Sequence, residues 1–102
     1  MFQLVLQLKP WGERDFDQLV ALEDLLIDEL DGIADVGGHD MGADEANIFI
    51  RTSEPAGILP RCVAVAETAG LLPILSAAYR PVHGERYTRL WPSHDVSPFE
   101  IK

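Results

Sequence analysis

The residues richest in chemistry fall in one short stretch, Gly37-Gly38-His39-Asp40-Met41-Gly42-Ala43-Asp44-Glu45. One imidazole and three carboxylates stand there within seven residues. The oxygens of Asp40, Asp44 and Glu45 suit a hard cation, and His39 added to them suits a transition metal. The order lacks the Asp-x-Asp-x-Asp-Gly start and closing Glu of a calcium loop. The expectation is therefore a flexible, glycine-rich hairpin connection with solvated acids, and no metal site. Within it, Asp40 and Asn47 are candidates for shaping the loop through side-chain bonds to nearby amides.

Glu23 is the single most telling acid, because it falls inside the apolar arc of an amphipathic segment. A carboxylate in that position needs a cation or serves as a general base. Glu23 and His39 are the two weak catalytic candidates. His83 and His94 have no Ser or Cys partner at useful spacing, so no triad is expected. Cys62, the lone cysteine, sits beside Val63, Val65 and Ala66 and reads as a buried structural thiol. Tyr87, Arg89 and Trp91 alternate, which predicts one shared strand face: an interface hot spot, or a cover for the sheet edge together with the C-terminal tail. No glycine-rich phosphate loop is present, and no cofactor is expected. The interaction candidates are thus Asp40, Asp44, Glu45, Asn47, Tyr87, Arg89 and Trp91.

The charge that surrounds these residues is uneven. Of 17 acids, twelve lie between Glu13 and Glu45 against the single base Arg14, so this third carries −11 of a net −9. Such a field repels phosphate backbones and anionic bilayers, which argues against nucleic-acid or membrane partners. It suits a basic protein partner, or simply solubility. With 102 residues and 47% hydrophobic content, the chain has the size and composition of one folded domain. The start Met1-Phe2-Gln3-Leu4 shows no basic n-region, so no signal peptide and a cytoplasmic, reduced setting are expected.

The elements that must position these groups follow from periodicity. Residues 2–8 alternate, with Phe2, Leu4, Leu6 and Leu8 on one side, which predicts a half-buried strand. Asp15 with Gln18 forms a capping box for a helix running to Leu30 or Asp31 and stopped by Gly32. Its apolar arc contains Leu19, Leu22, Leu26, Leu30, Phe16, Ile27 and Val20, with Asp17, Asp24, Asp28 and Asp31 as an acid stripe beside it. Short strands are expected at 33–36 and 46–52. A second helix should start at Ser53 and end near Ala69, kinked or begun late by Pro60. Strands at 73–80 and 85–91 follow, and residues 92–102 form an irregular tail. The order predicts an α+β domain of ferredoxin-like β-α-β-β-α-β plan with an additional C-terminal strand, an antiparallel sheet with two helices on one face. The reverse face, bearing Gln3, Val5, Gln7, Asn47, Phe49 and Arg51, is left for solvent or a partner, as in a homodimer.

The pattern Asp35-x-x-x-His39-Asp40-x-Gly42-x-x-x-x-Asn47-Ile48-Phe49-Ile50, followed by Ser53-Glu54-Pro55, resembles a small bacterial family of uncharacterised ferredoxin-like proteins. The resemblance implies the fold and supplies no activity. Three functions remain open on the sequence: a non-catalytic interaction module forming a homodimer, an acidic immunity-type inhibitor of a basic toxin, and a small dimeric enzyme using Glu23 or His39 as base.

Overall fold

The computed structural model describes residues 1–95 and 97–101. Of the expected tail 92–102, residues 96 and 102 lie outside the described residues. The chain forms β1 (Phe2–Leu8), α1 (Phe16–Glu29), β2 (Asp35–Gly42), β3 (Glu45–Thr52), α2 (Pro55–Thr68), a 3-10 turn (Leu72–Ile74), β4 (Leu75–Pro81) and β5 (Thr88–Trp91). The strands make one antiparallel sheet in the order β2-β3-β1-β4-β5. Each of the first two helices connects strands that flank a third, which is the ferredoxin-like plan with a fifth strand added at one edge. No helix among the described residues is long and apolar enough to cross a membrane.

Helix α1 begins where expected. Asp15 Oδ1 accepts from the Gln18 amide while Gln18 Oε1 accepts from the Asp15 amide, so two of the orphan donors at the helix start are satisfied at 2.9 Å each. Leu19, Leu22, Leu26 and the cap residue Leu30 bury themselves. Helix α2 starts at Pro55 with Glu54, not Ser53, as its cap; Thr52 Oγ1 accepts the Glu54 amide instead. Pro60 lies within α2, as the sequence placed it, and the helix continues past it to Thr68. It ends in a Schellman motif: Gly70 at φ +75° donates to Glu67 and Leu71 donates to Ala66.

The core lies between the helices and one face of the sheet. Leu4, Leu6 and Leu8 of β1, Ala46, Ile48 and Ile50 of β3 and Leu75 and Ala77 of β4 meet the leucines of α1 and Ile58, Cys62 and Ala66 of α2. Trp11, which as a sequence reads only as the break after the first strand, is buried here too. Phe16 and Ile27 do not join them. They lie at the margin of the arc, and the narrow sheet leaves them about half exposed.

Two irregularities in the sheet decide where side chains point. Val36 pairs with Ile50 but His39 pairs with Ile48, so Gly37-Gly38 is a bulge with one extra residue in β2. Gly38 takes φ +142°, a conformation that side chains rarely adopt. The expected nine-residue loop is thereby corrected: β2 runs on to Gly42, and the hairpin closes through two residues, Ala43 and Asp44, at φ 46° and 62°. Positive φ at both positions is the twist-matched hairpin geometry. In β5, Ala77 faces Trp91 while Ala78 faces Arg89, so Leu90 is the extra residue. This overturns the single face expected for Tyr87, Arg89 and Trp91. Trp91 packs against the helix-side core, whereas Tyr87, which precedes the strand, belongs to the opposite side.

Candidate functional site

The bulge in β2 reverses the alternation of the strand. Without it His39 would face away from the helices; with it, Val36 and His39 share the helix side. His39 Nδ1 consequently lies 3.0 Å from Glu23 Oε2, joining the two weak catalytic candidates, which stand 16 residues apart in sequence. Glu23 thus gains, in His39, a partner able to carry positive charge. The Glu23 side chain is 14% exposed and that of His39 27%. Phe16 packs its ring against the imidazole at 5.1 Å. The contact at Nδ1 orients the ring, and among the described residues Nε2 has no hydrogen-bond partner. This is the geometry of an oriented base, but four concavities of 250–390 Å³ on the surface open elsewhere.

The other loop candidates separate. Asp40 is exposed on the opposite side of β2. Asp44 ties the hairpin to the end of β1: its Oδ1 accepts the Gly12 amide at 2.7 Å and its backbone carbonyl accepts the Trp11 amide at 2.9 Å. Glu45 and Asn47 are buried on the reverse face. Glu45 Oε2 accepts from Gln7 Nε2 at 3.1 Å and from Asn47 Nδ2 at 3.0 Å, and Gln7 Nε2 also reaches Asn47 Oδ1 at 3.2 Å. Among the described residues no group of three or more His, Cys, Asp or Glu side chains is placed to hold a metal ion.

The reverse face is less open than its alternation suggests. The tail crosses it, and Gln7 Nε2 donates to the Glu100 carbonyl at 2.9 Å. Phe99 seals Val5 and Ala78 into a second, smaller apolar cluster flanked by Phe49, Tyr87 and Ile101. Tyr87 and Arg89 hold that tail: the Tyr87 ring lies 5.2 Å from Phe99, the Arg89 guanidinium 5.5 Å above it, and Arg89 Nε donates to the Ser97 carbonyl at 3.3 Å. Asp95 completes the clasp at 3.7 Å from Arg89 and accepts from the hydroxyl and amide of Ser97. The Ser97 bonds, more than Arg89, hold the Asp95 carboxyl below its ordinary range. Val5 and Gln7, expected to face outward to solvent or a partner, are therefore internal.

Cys62 is fully buried, and desolvation pushes its thiol up to about 12, so it is an inert core residue. What sequence reading missed was Trp11, Gln7 and the Phe99 anchor, whose roles depend on contacts of Trp11 with Asp44, Gln7 with Glu45 and Phe99 with Val5, across 33, 38 and 94 residues of chain. Comparison with family models, with curated proteins and with solved structures gives no match.

Proposed function

We propose that this chain is a non-catalytic interaction module that pairs with a second copy of itself along the free edge of β2 and the adjoining flank of α1. The observation that carries the reading is the placement of its exposed apolar side chains. Phe16, Ile27, Ile33 and Met41 are each 43–48% exposed. Phe16 and Ile27 share the helix margin that carries Glu23, Ile33 leads into β2, and Met41 stands two residues beyond His39 on the same side of the strand. Phe16 packs against the His39 ring, and Met41 lies in β2, a strand that among the described residues has a neighbour on one side only. An unpaired edge beside an apolar strip is a template for strand addition. The tail occupies the middle of the reverse face, so the edge, rather than the sheet face, offers the apolar surface.

Two copies each carrying −9 repel one another, so screening should strengthen their association. Light scattering after size exclusion at tens of micromolar tests the reading. A dimer that tightens with salt and is lost in Met41→Lys supports it; a strict monomer at low and high salt refutes it.

A second reading rests on the groove between the helices. Leu25 is 47% exposed there, over a concavity of about 370 Å³ that Asp28, Glu29, Ala64, Val65 and Thr68 complete. An apolar floor with an acidic rim fits the apolar and basic faces of a partner helix, as an immunity-type inhibitor of a basic toxin would require. Salt separates the two readings, because binding of a basic helical peptide weakens as salt rises and should vanish in Leu25→Asp. The enzyme reading draws on the Glu23–His39 geometry alone, and the four concavities described are lined by other residues.

A further inference from the structure

We propose that the uncovered half of the reverse face is a binding site for a small organic oxyanion, a carboxylate or phosphate monoester carrying a flat apolar group. The tail covers the end of the sheet nearest Gln7. At the other end a concavity of about 380 Å³ is lined by Gln3, Gly37, Phe49, Arg51, Arg80 and Val82.

Register brings its polar groups into one row. Gln3 of β1 lies between Arg51 of β3 and Arg80 of β4, its direct cross-strand partners. Arg80 is fixed: Nη1 donates to the carbonyls of Pro81, Val82 and Gly84 at 3.0–3.1 Å, and Nη2 donates to Gln3 Oε1 at 2.6 Å. Those bonds hold the guanidinium plane in place and turn the Gln3 amide so that its Nε2 remains a donor. Arg51 is exposed and makes no hydrogen bond or ion pair among the described residues; Asp35 stands opposite it in register but outside ion-pair distance. The row therefore offers one immobilised guanidinium, one uncommitted guanidinium and an amide donor, on a chain whose net charge is −9. Guanidinium groups pair with carboxylate and phosphate through two parallel bonds.

The walls supply the apolar share. Phe49 and Val82 are half-buried, and Phe49 stands between the polar row and the sealed Val5–Ala78 cluster. Gly37 provides the room: it belongs to the bulge, and a Cβ built on it meets no atom within 4 Å. The same bulge that turns His39 toward Glu23 thus opens this concavity behind it.

An NMR titration of the amide-labelled protein tests the site with benzoate, phenyl phosphate, inorganic phosphate and benzylamine as probes. Benzoate and phenyl phosphate should give saturable shifts at Gly37, Phe49 and Val82. Arg51→Ala should weaken both about tenfold or more, the low end of what a charge-assisted hydrogen bond contributes. Gly37→Leu, at a backbone conformation open to side chains, should fill the space and block binding with spectral dispersion retained. Inorganic phosphate should bind about tenfold more weakly than phenyl phosphate, since it lacks the ring. Four results overturn the proposal: no saturation by about 10 mM, equal shifts with benzylamine, variants that bind like the wild type, or inorganic phosphate binding as tightly as its phenyl ester.

Discussion

Replacing Phe99 by alanine isolates what the tail contributes. The ring is 9% exposed, packed below against Val5 and Ala78 and flanked by the Tyr87 ring and the Arg89 guanidinium. In a closed core, Phe→Ala costs about 3–5 kcal/mol, of which part is the cavity left behind. Here the cover is a surface segment with no regular structure, so it can shift and admit water, and no dry cavity need persist. The transfer term alone then sets the cost, about 2 kcal/mol. A folded domain of this size holds roughly 5–15 kcal/mol, and each kcal/mol moves the midpoint of thermal unfolding by about 4–8 °C. Phe99→Ala should accordingly lower that midpoint by roughly 8–16 °C and shift the urea transition, followed by tryptophan fluorescence. Limited proteolysis should cut the variant first after residue 91. Phe99→Leu, which keeps much of the apolar area, should lose less than half as much. A change below about 0.5 kcal/mol, the level of an ordinary surface substitution, would show that the tail does not seal this face. The argument that the β2 edge rather than the sheet face is left for a partner would fall with it.

Other perturbations probe single devices. Ala43 occupies the first position of the two-residue turn at φ 46°, where a Cβ is unfavourable. Ala43→Asn, leaving Asp44 to bond Gly12, should raise stability by about 0.5–1 kcal/mol in urea unfolding. Cys62 should resist a thiol reagent until the chain unfolds, because its thiol is held up to about 12. The sign for pH follows: with the folded value above the unfolded one, stability is intact below about pH 9 and declines above it by up to ~1.4 kcal/mol per unit as the unfolded thiol ionises. Cys62→Ala should flatten that alkaline limb. A double-mutant cycle of Glu23→Ala and His39→Ala should return a coupling of about 0.5–1.5 kcal/mol, as expected of a hydrogen-bonded, partly buried pair. Additive effects would mean that the contact contributes nothing to the fold.

Much of the architecture was legible before any tertiary contact was known. The alternation from Phe2 to Leu8, the Asp15–Gln18 capping box with its leucine stripe and the glycines that end both helices are local statements. They depend on periods of two and 3.6 residues and on backbone groups a few positions away, so the strand and helix inventory and its folding plan follow from them. The carboxylate out of place at Glu23 was also visible as an anomaly that required a partner.

The partner itself was decided by the fold. Whether His39 faces inward or outward depends on one inserted residue at Gly37-Gly38, and a glycine pair reads equally well as a loop or as a bulge until β3 is alongside. The Leu90 irregularity separated Trp91 from Tyr87 and Arg89 in the same way, because a shift of one residue in a period of two exchanges the faces of a sheet. The coverage of Val5 and Gln7 depended on a tail that returns after more than 90 residues, and no local pattern encodes that return. Local periodicity therefore determined which elements this chain makes. Long-range pairing alone determined which face each side chain presents and which stretch of surface remains open.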